Sequence, residues 1–296
     1  MSAGSRCLVI GLKGSGKTTF LAALWHLIES NELPARLTVP ALQPDRKYLN
    51  RIRESWLRFE EVGRTPLVVD ETLALVLKDS QSGELFDVSY PDMSGESLRL
   101  QWATRHATIR YSEQAKVATG LFLFVHPDTV RKAPRIGTEI SGPPGQVPAA
   151  GTEEGTVKVS MPTELQEKLT DWSVELAPTQ VQLVELLQFV HRFTETRHGQ
   201  RIAVVISAWD LVKDNASPSS WVERSLPLLF QFLVANSDAR PFSIFGVSAQ
   251  GGDLKTDLAR LQSEFVPARR IRVVNDNLEE SHDLTAPLRF LLGPTA

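Results

Sequence analysis

Cysteine is nearly absent. Cys7 is the only one in the chain, which excludes a disulfide framework and suits a reducing cytoplasm. It lies in a strand-like run and is read as a small core residue. Long apolar runs are missing too. None approaches the roughly 20 residues that span a bilayer, and "MSAGSRCLVIG" is too short to serve as a signal peptide. Net charge is only −3, so no global basic field recruits nucleic acid or anionic lipid. His26, His106, His126, His191, His198 and His282 are scattered, and neither H-E-x-x-H nor C-x-x-C occurs, so no zinc site is expected. The G-x-S-x-G elbow of serine hydrolases is also absent. These absences predict a cytoplasmic protein with no membrane span and no direct nucleic-acid role.

Apolar β-branched runs alternate with helical patterns. Strands are predicted at 6–11, 120–128, 201–210 and 240–250, and a hairpin at 71–92 around "SQSG". Helices are predicted at 17–30, 97–118, 178–197, 217–238 with a disturbance at Pro227, and 283–292. Strands without a polar face, separated by helices, imply an α/β fold with a mostly parallel sheet covered on both sides. The hairpin is expected to add one antiparallel edge strand. The chain reads as a single domain with two insertions, at about 31–64 and 129–177. In the first, 45–59 places Tyr48, Ile52, Trp56 and Phe59 on one helical face, with Arg46, Arg51, Arg53 and Arg58 largely off it. That is either a helix packed on the sheet or a partner surface. In the second, 134–155 is rich in Gly, Pro, Thr and Glu and cannot bury a core, while 163–176 could add a helix.

The stretch "LVIGLKGSGKTTFLAALW" carries the chemistry. It is a strand, a loop and a helix, and Gly11 to Thr18 matches G-x-x-x-x-G-K-[ST]. Phosphate oxygens concentrate negative charge, and backbone N–H groups surround them only where side chains are missing. Gly11, Gly14 and Gly16 meet that need, with Lys13, Ser15 and Thr19 completing the loop. The helix beginning near Lys17 adds unpaired N–H groups and its dipole. Lys17 would reach the β- and γ-phosphates, and the Thr18 hydroxyl would ligate Mg²⁺. A metal-linked phosphate also needs a carboxylate at a neighbouring strand end. "YPDMSGE" supplies Asp92 and, three residues on, Gly95, whose N–H would face the γ-phosphate.

With this order of motifs the chain resembles the Ras-like, translation-factor-related GTPases. That resemblance implies a three-layer P-loop GTPase fold, GTP/GDP with Mg²⁺, and two further motifs. "VVISAWDLV" puts Ser207, Ala208, Trp209 and Asp210 in the place of N-K-x-D, and "IFGVSAQGG" puts Ser248, Ala249 and Gln250 in the place of S-A-K. Asp210 would then accept from guanine N1–H and the 2-amino group, donors that adenine does not present there. Ser207 is shorter than the usual Asn, and Ala208 has no stem to lie under the base. Trp209 either covers the base or belongs to the core. More narrowly, "GLKGSGKTTFLAALW", "GRTP", "DMSGE" and "HDLTAPLRFLL" resemble the double-GTPase families of bacterial conflict systems. Such membership implies a switch with a protein effector or co-encoded partner.

Within that frame Thr65 is the expected switch threonine and a third Mg²⁺ ligand beside Thr18 and Asp92. Glu96 stands where such proteins usually carry a water-orienting Gln, and a carboxylate there implies slow turnover; alternatively it only begins a helix. Arg64 and Lys13 are candidates for transition-state cations, with solvation as the alternative. Segments 60–70 and 92–100 are the expected moving parts. Three functions stay open at this level: a slowly hydrolysing GTP switch, a pseudo-GTPase scaffold, and an ATP-using P-loop enzyme.

Overall fold

Strands that are apolar on both sides require cover on both sides, and the computed structural model supplies it. It describes residues 5–40, 46–60, 72–91, 101–132, 176–194, 199–213 and 216–293. Among the described residues, nine strands form one sheet: β1 (Ser5–Gly11), β2 (Leu37–Thr38), β3 (Thr72–Asp79), β4 (Leu85–Pro91), β5 (Gly120–Val125), β6 (Arg201–Ser207), β7 (Phe242–Ser248), β8 (Arg272–Val274) and β9 (Glu280–Ser281). Their order is β2-β3-β4-β1-β5-β6-β7-β8-β9, and the five from β4 to β7 run parallel.

The helices are α1 (Lys17–Ser30), α2 (Arg46–Leu57), α3 (Ile109–Val117), α4 (Thr179–Phe193), α5 (Pro218–Ser225), α6 (Pro227–Ala235), α7 (Leu258–Gln262) and α8 (Ala286–Leu292). Side-chain alternation along the central strands divides the core in two. Cys7, Val9, Phe122, Phe124, Ala203, Val205 and Val247 face α1, α2 and α8. Leu8, Ile10, Leu121, Leu123, Val204, Ile206 and Ile244 face α3, α4, α5 and α6. Phe20 of α1 meets Phe122 and Phe124 edge-on, with all three centroid distances between 4.8 and 5.1 Å. That aromatic cluster seats α1 on β5, directly below the glycine loop. Cys7 is buried as a core residue, and burial pushes its thiol well above the ordinary pKa.

The sheet extends further at its edges than the sequence predicts. Antiparallel β3 is not the outermost strand, because β2 pairs outside it and Arg36 Nε holds both Asp79 carboxylate oxygens at 3.2 Å. At the other end β8 runs antiparallel to β7, and β9 antiparallel to β8. Strands of two or three residues carry no periodicity to read. The predicted helix over 97–118 is interrupted. Residues 101–104 are helical, Arg105 turns left-handed at φ 59°, and the Thr108 side chain caps a fresh start by accepting from Tyr111 N at 3.2 Å. The disturbance at Pro227 is a full break: Leu226, at φ −138°, separates α5 from α6. Helix α2 packs on α1, and Trp25 Nε1 of α1 donates to Asn50 Oδ1 of α2 at 2.8 Å. With sheet and α2 on different sides, α1 is buried continuously from Phe20 to Ile28. Of the predicted helix at 163–176, residues 163–175 lie outside the described residues.

Candidate functional site

Parallel strands end together. Gly11 of β1 is opposite Phe124 of β5, Val125 of β5 opposite Ile206 of β6, and Ser207 of β6 opposite Val247 of β7. The loops that follow β1, β6 and β7 therefore meet along one edge of the sheet, the edge where ligands sit in open α/β folds. Strand β4 also runs parallel to β1, with Leu8 opposite Ser89, and it ends at the same edge.

The glycine loop is shaped by contact, not by freedom alone. A methyl group on Gly11 would lie 2.8 Å from both Phe124 O and Ser15 Oγ. Gly16, the residue before α1, has φ 85°, and a methyl there would lie 2.8 Å from the Ser207 side chain. Lys17 folds over the loop. Its Nζ donates to Gly11 O at 2.8 Å, Leu12 O at 2.9 Å and Ser15 Oγ at 3.1 Å. The ammonium is thereby aimed into the space that the loop encloses. Ser15 is buried, Lys13 and Gly14 are exposed, and Thr18 and Thr19 are half-buried in the first turn of α1.

The loop after β6 turns sharply. Ala208 adopts the left-handed region at φ 48° and ψ 48°, which costs a non-glycine residue about 1–2 kcal/mol. The turn drives Trp209 back into the core. Its ring fills the space beside Gly246, where a methyl would come within 2.3 Å of it. Trp209 is therefore a core residue, and of the two readings open for it, base cover is the one excluded. Asp210 emerges on the site side, and Ser248 Oγ donates to its Oδ1. Ser207, the short replacement for Asn, is buried and donates to Val125 O at 3.2 Å. It ties β6 to β5 while packing against Gly16 of the phosphate loop.

The loop after β7 is held at nearly every atom. Ser248 Oγ also accepts from Gly251 N at 3.1 Å. Ala249 O accepts from Trp56 Nε1 at 3.1 Å, and Arg260 Nη2 donates to Gly251 O at 2.8 Å. Beside Ser248 in register stands Arg272 of β8, gripped by Glu280 of β9 at 2.7 and 2.8 Å. The Glu280 hydrogen bonds raise the Arg272 pKa above its ordinary value, and the charge of Asp210 adds to the effect. Sequence reasoning missed Arg272 and Arg260. Neither sits in a motif, and only strand pairing and the turn after β7 bring them here.

The structure thus brings together Gly11, Lys13, Gly14, Ser15, Gly16, Lys17, Thr18 and Thr19 with Asp210, Ser248 and Ala249. Arg64, Thr65, Asp92, Gly95 and Glu96 lie outside the described residues. A family model described as Double-GTPase 1 matches residues 8–291. The chain belongs to that family. The match supports the double-GTPase resemblance read from the sequence, and membership of that family implies guanine-nucleotide binding. No curated protein matches the chain. Among solved structures, it is similar to bacterial selenocysteine-specific elongation factor EF-Sec at 13% identity, over 87% of this chain and 28% of that one, with TM-score 0.35. It is also similar to the S. cerevisiae Ski7 GTPase-like domain, bound to GTP, at 10% identity over 84% and 43%, with TM-score 0.38. The chain spans less than half the length of either, and the family assignment rests on the sequence match.

The contact between Gly16 and Ser207 can be tested by substitution. Gly16→Ala should cost about 1–2 kcal/mol for the left-handed backbone and a similar amount for crowding against Ser207. Ser207→Gly carries its own cost, because it loses the bond to Val125 O, so the crowding part should appear as the coupling between the two substitutions. Urea unfolding of both single variants, the double variant and the wild type measures it.

Proposed function

We propose that this protein is a GTP-binding molecular switch with slow intrinsic hydrolysis. The supporting observation is the meeting of two loops on one sheet edge. One folds the Lys17 ammonium onto the glycine loop at Gly11, Leu12 and Ser15, and the other presents Asp210 steadied by Ser248. The first arrangement suits a polyphosphate. The second suits a base edge with two neighbouring donors, which guanine has and adenine does not.

Roles follow from chemistry. Lys17 neutralises charge on the β- and γ-phosphate oxygens, and the N–H groups from Lys13 to Thr19 cradle them. Asp210 accepts from the base, while Ser248 and Ala249 form the wall beside it. The metal donors would be Thr18, Thr65 and Asp92, an all-oxygen set that suits Mg²⁺. When bound, Mg²⁺ supplies charge neutralisation at the phosphate oxygens. Thr65 and Gly95 serve as the contacts that only the γ-phosphate holds in place. Glu96 adds a negative charge near that phosphate, which favours slow turnover, and Arg64 or Lys13 supplies the offsetting cation. The setting is a bacterial conflict or signalling system in the cytoplasm, with a protein effector as partner.

A second reading, the pseudo-GTPase scaffold, is favoured by one observation. Ser207 spends its hydroxyl on Val125 O, and left-handed Ala208 offers no stem beneath a base, so the base wall is thinner than in the related GTPases. Competition among GDP, GTP and ATP distinguishes the readings. Calorimetry should show GDP and GTP displacing each other with ATP at least about tenfold weaker, a difference of about 1.4 kcal/mol. Lys17→Ala should remove most affinity without unfolding the chain. Equal affinity for all three nucleotides would exclude the guanine reading, and no affinity would leave the scaffold.

Asp210→Asn replaces an acceptor by an amide that also donates. The expected outcome is a loss of guanine preference and a gain of binding to xanthosine diphosphate, read in the same calorimetric format. Unchanged GDP affinity in that variant would remove Asp210 from the base site.

Switch behaviour has its own measurement. Hydrogen exchange on protein loaded with GDP and with a GTP analogue should differ within 60–70 and 92–100, because the γ-phosphate is what links Thr65 and Gly95 to the nucleotide. Identical protection in both states would make the nucleotide a structural cofactor.

A further inference from the structure

Trp56 is the outlying member of the nucleotide edge. It lies near the end of α2, far from any phosphate or base motif in sequence, and it is completely buried. Its indole N–H reaches across to Ala249 O at 3.1 Å, a separation of 193 residues. Gln250 Nε2 lies 3.5 Å from Trp56 O, closing the contact from the other direction. The Trp56 ring has further neighbours. His26 of α1 lies at 5.0 Å between centroids, tilted by 35°, and the Arg270 guanidinium stands 4.2 Å from the ring centre. The same guanidinium stands 4.5 Å from the Phe59 ring centre. A stack of ring contacts from imidazole through indole to guanidinium thus runs from the phosphate-loop helix to the turn before β8.

The stack is tied at both ends. His26 lies 3.2 Å from Glu32 Oε2 through Nε2, and its Nδ1 accepts from Arg53 Nε at 3.2 Å. Burial is the largest influence on this imidazole and lowers its pKa, while Glu32 pulls the other way. A neutral ring protonated on Nε2 satisfies both contacts. Glu32 Oε2 also accepts from Ala268 N at 3.0 Å. Arg270 is buried, donates through Nε to Pro267 O at 3.2 Å, and presses its backbone against Gly251, where a methyl would lie 2.3 Å from Arg270 O. Gly251 closes the loop that begins at Ser248.

We infer that Trp56 is a positioning residue for the guanine-binding loop, its indole N–H holding the Ala249 peptide so that the N–H side of the loop faces the base. The inference rests on the guanine reading of the Asp210–Ser248 site. Its physical basis is the geometry of a peptide unit. In a planar trans peptide, a carbonyl anchored on one side leaves the N–H of the same unit, that of Gln250, directed to the other, and guanine O6 is an acceptor that needs such a donor. Asp210, which only accepts, cannot serve O6. Trp56 touches no nucleotide atom and acts only through Ala249. A loop held from beneath by a buried indole keeps its donors aligned before the base arrives, so ordering entropy is not spent on binding.

The test separates this role from a structural one. Trp56→Phe keeps the stacked ring and deletes the N–H. A neutral hydrogen bond is worth about 1 kcal/mol, so GDP affinity should fall about fivefold. Binding of inorganic pyrophosphate, which reads the phosphate loop alone, should stay within about 1.5-fold, a few tenths of a kcal/mol. Proton–nitrogen NMR gives a second readout: the indole resonance that disappears in Trp56→Phe should shift in the wild type on adding GDP and stay in place on adding pyrophosphate. Equal weakening of GDP and pyrophosphate, or an indole resonance indifferent to GDP, would overturn the inference. If the wild type binds pyrophosphate but shows no preference for GDP over ADP, the guanine reading itself fails. If it prefers GDP and Trp56→Phe binds GDP as tightly as the wild type, that reading stands and the role given to Trp56 is wrong.

Discussion

At Gly16 the phosphate loop lies so close to Ser207 that a methyl group does not fit between them. This one approach joins the two halves of the site. It requires a glycine before α1. The serine stands where the resemblance to Ras-like GTPases would put a longer amide. Ser207 meets the backbone carbonyl of Val125 instead, and so closes β5 to β6 at the place where the edge must be rigid.

The same economy of space governs the turn that presents Asp210. Gly246 leaves a hollow on β7, Trp209 fills it, and Ala208 accepts a left-handed backbone to make that possible. The strain of one residue is held by the burial of an indole, which is worth more. Asp210 is consequently carried on a wedge driven into the core. Its orientation depends on packing as much as on the hydrogen bond from Ser248.

Helix α2 shows how an insertion can become part of a site. Its apolar face, read from the spacing of Tyr48, Ile52 and Trp56, lies on α1 and not on open sheet. Packing there encloses α1 on all sides and brings Trp56 under the loop after β7. Arg270 then stacks on the indole, and burial lowers its pKa to about 10. The carboxylates of Glu32 and Glu264 act against that shift and favour the charged guanidinium. The helix, the phosphate-loop helix and the base loop thus behave as one packed body, and residues 61–71 follow directly from it in the chain.

Local chemistry made the phosphate loop legible, because glycine spacing, a lysine and a following amphipathic helix are all encoded within a few residues. The long buried strands were legible for a similar reason: an apolar run covered on both faces needs no partner to be recognised. Asp210 and Ser248 were readable as motif positions because each stands at or just after the end of a long buried strand. Tertiary structure decided the rest. It made Trp209 a core residue because Gly246, 37 positions away, left room for it. It interrupted the helix at Arg105, added β2, β8 and β9 from segments too short to show periodicity, and set Arg272 beside Ser248 through pairing alone. It joined Trp56 to Ala249, 193 residues apart in the chain. Contacts of that kind depend on which surfaces meet once strands are in register, and no window of sequence contains both partners.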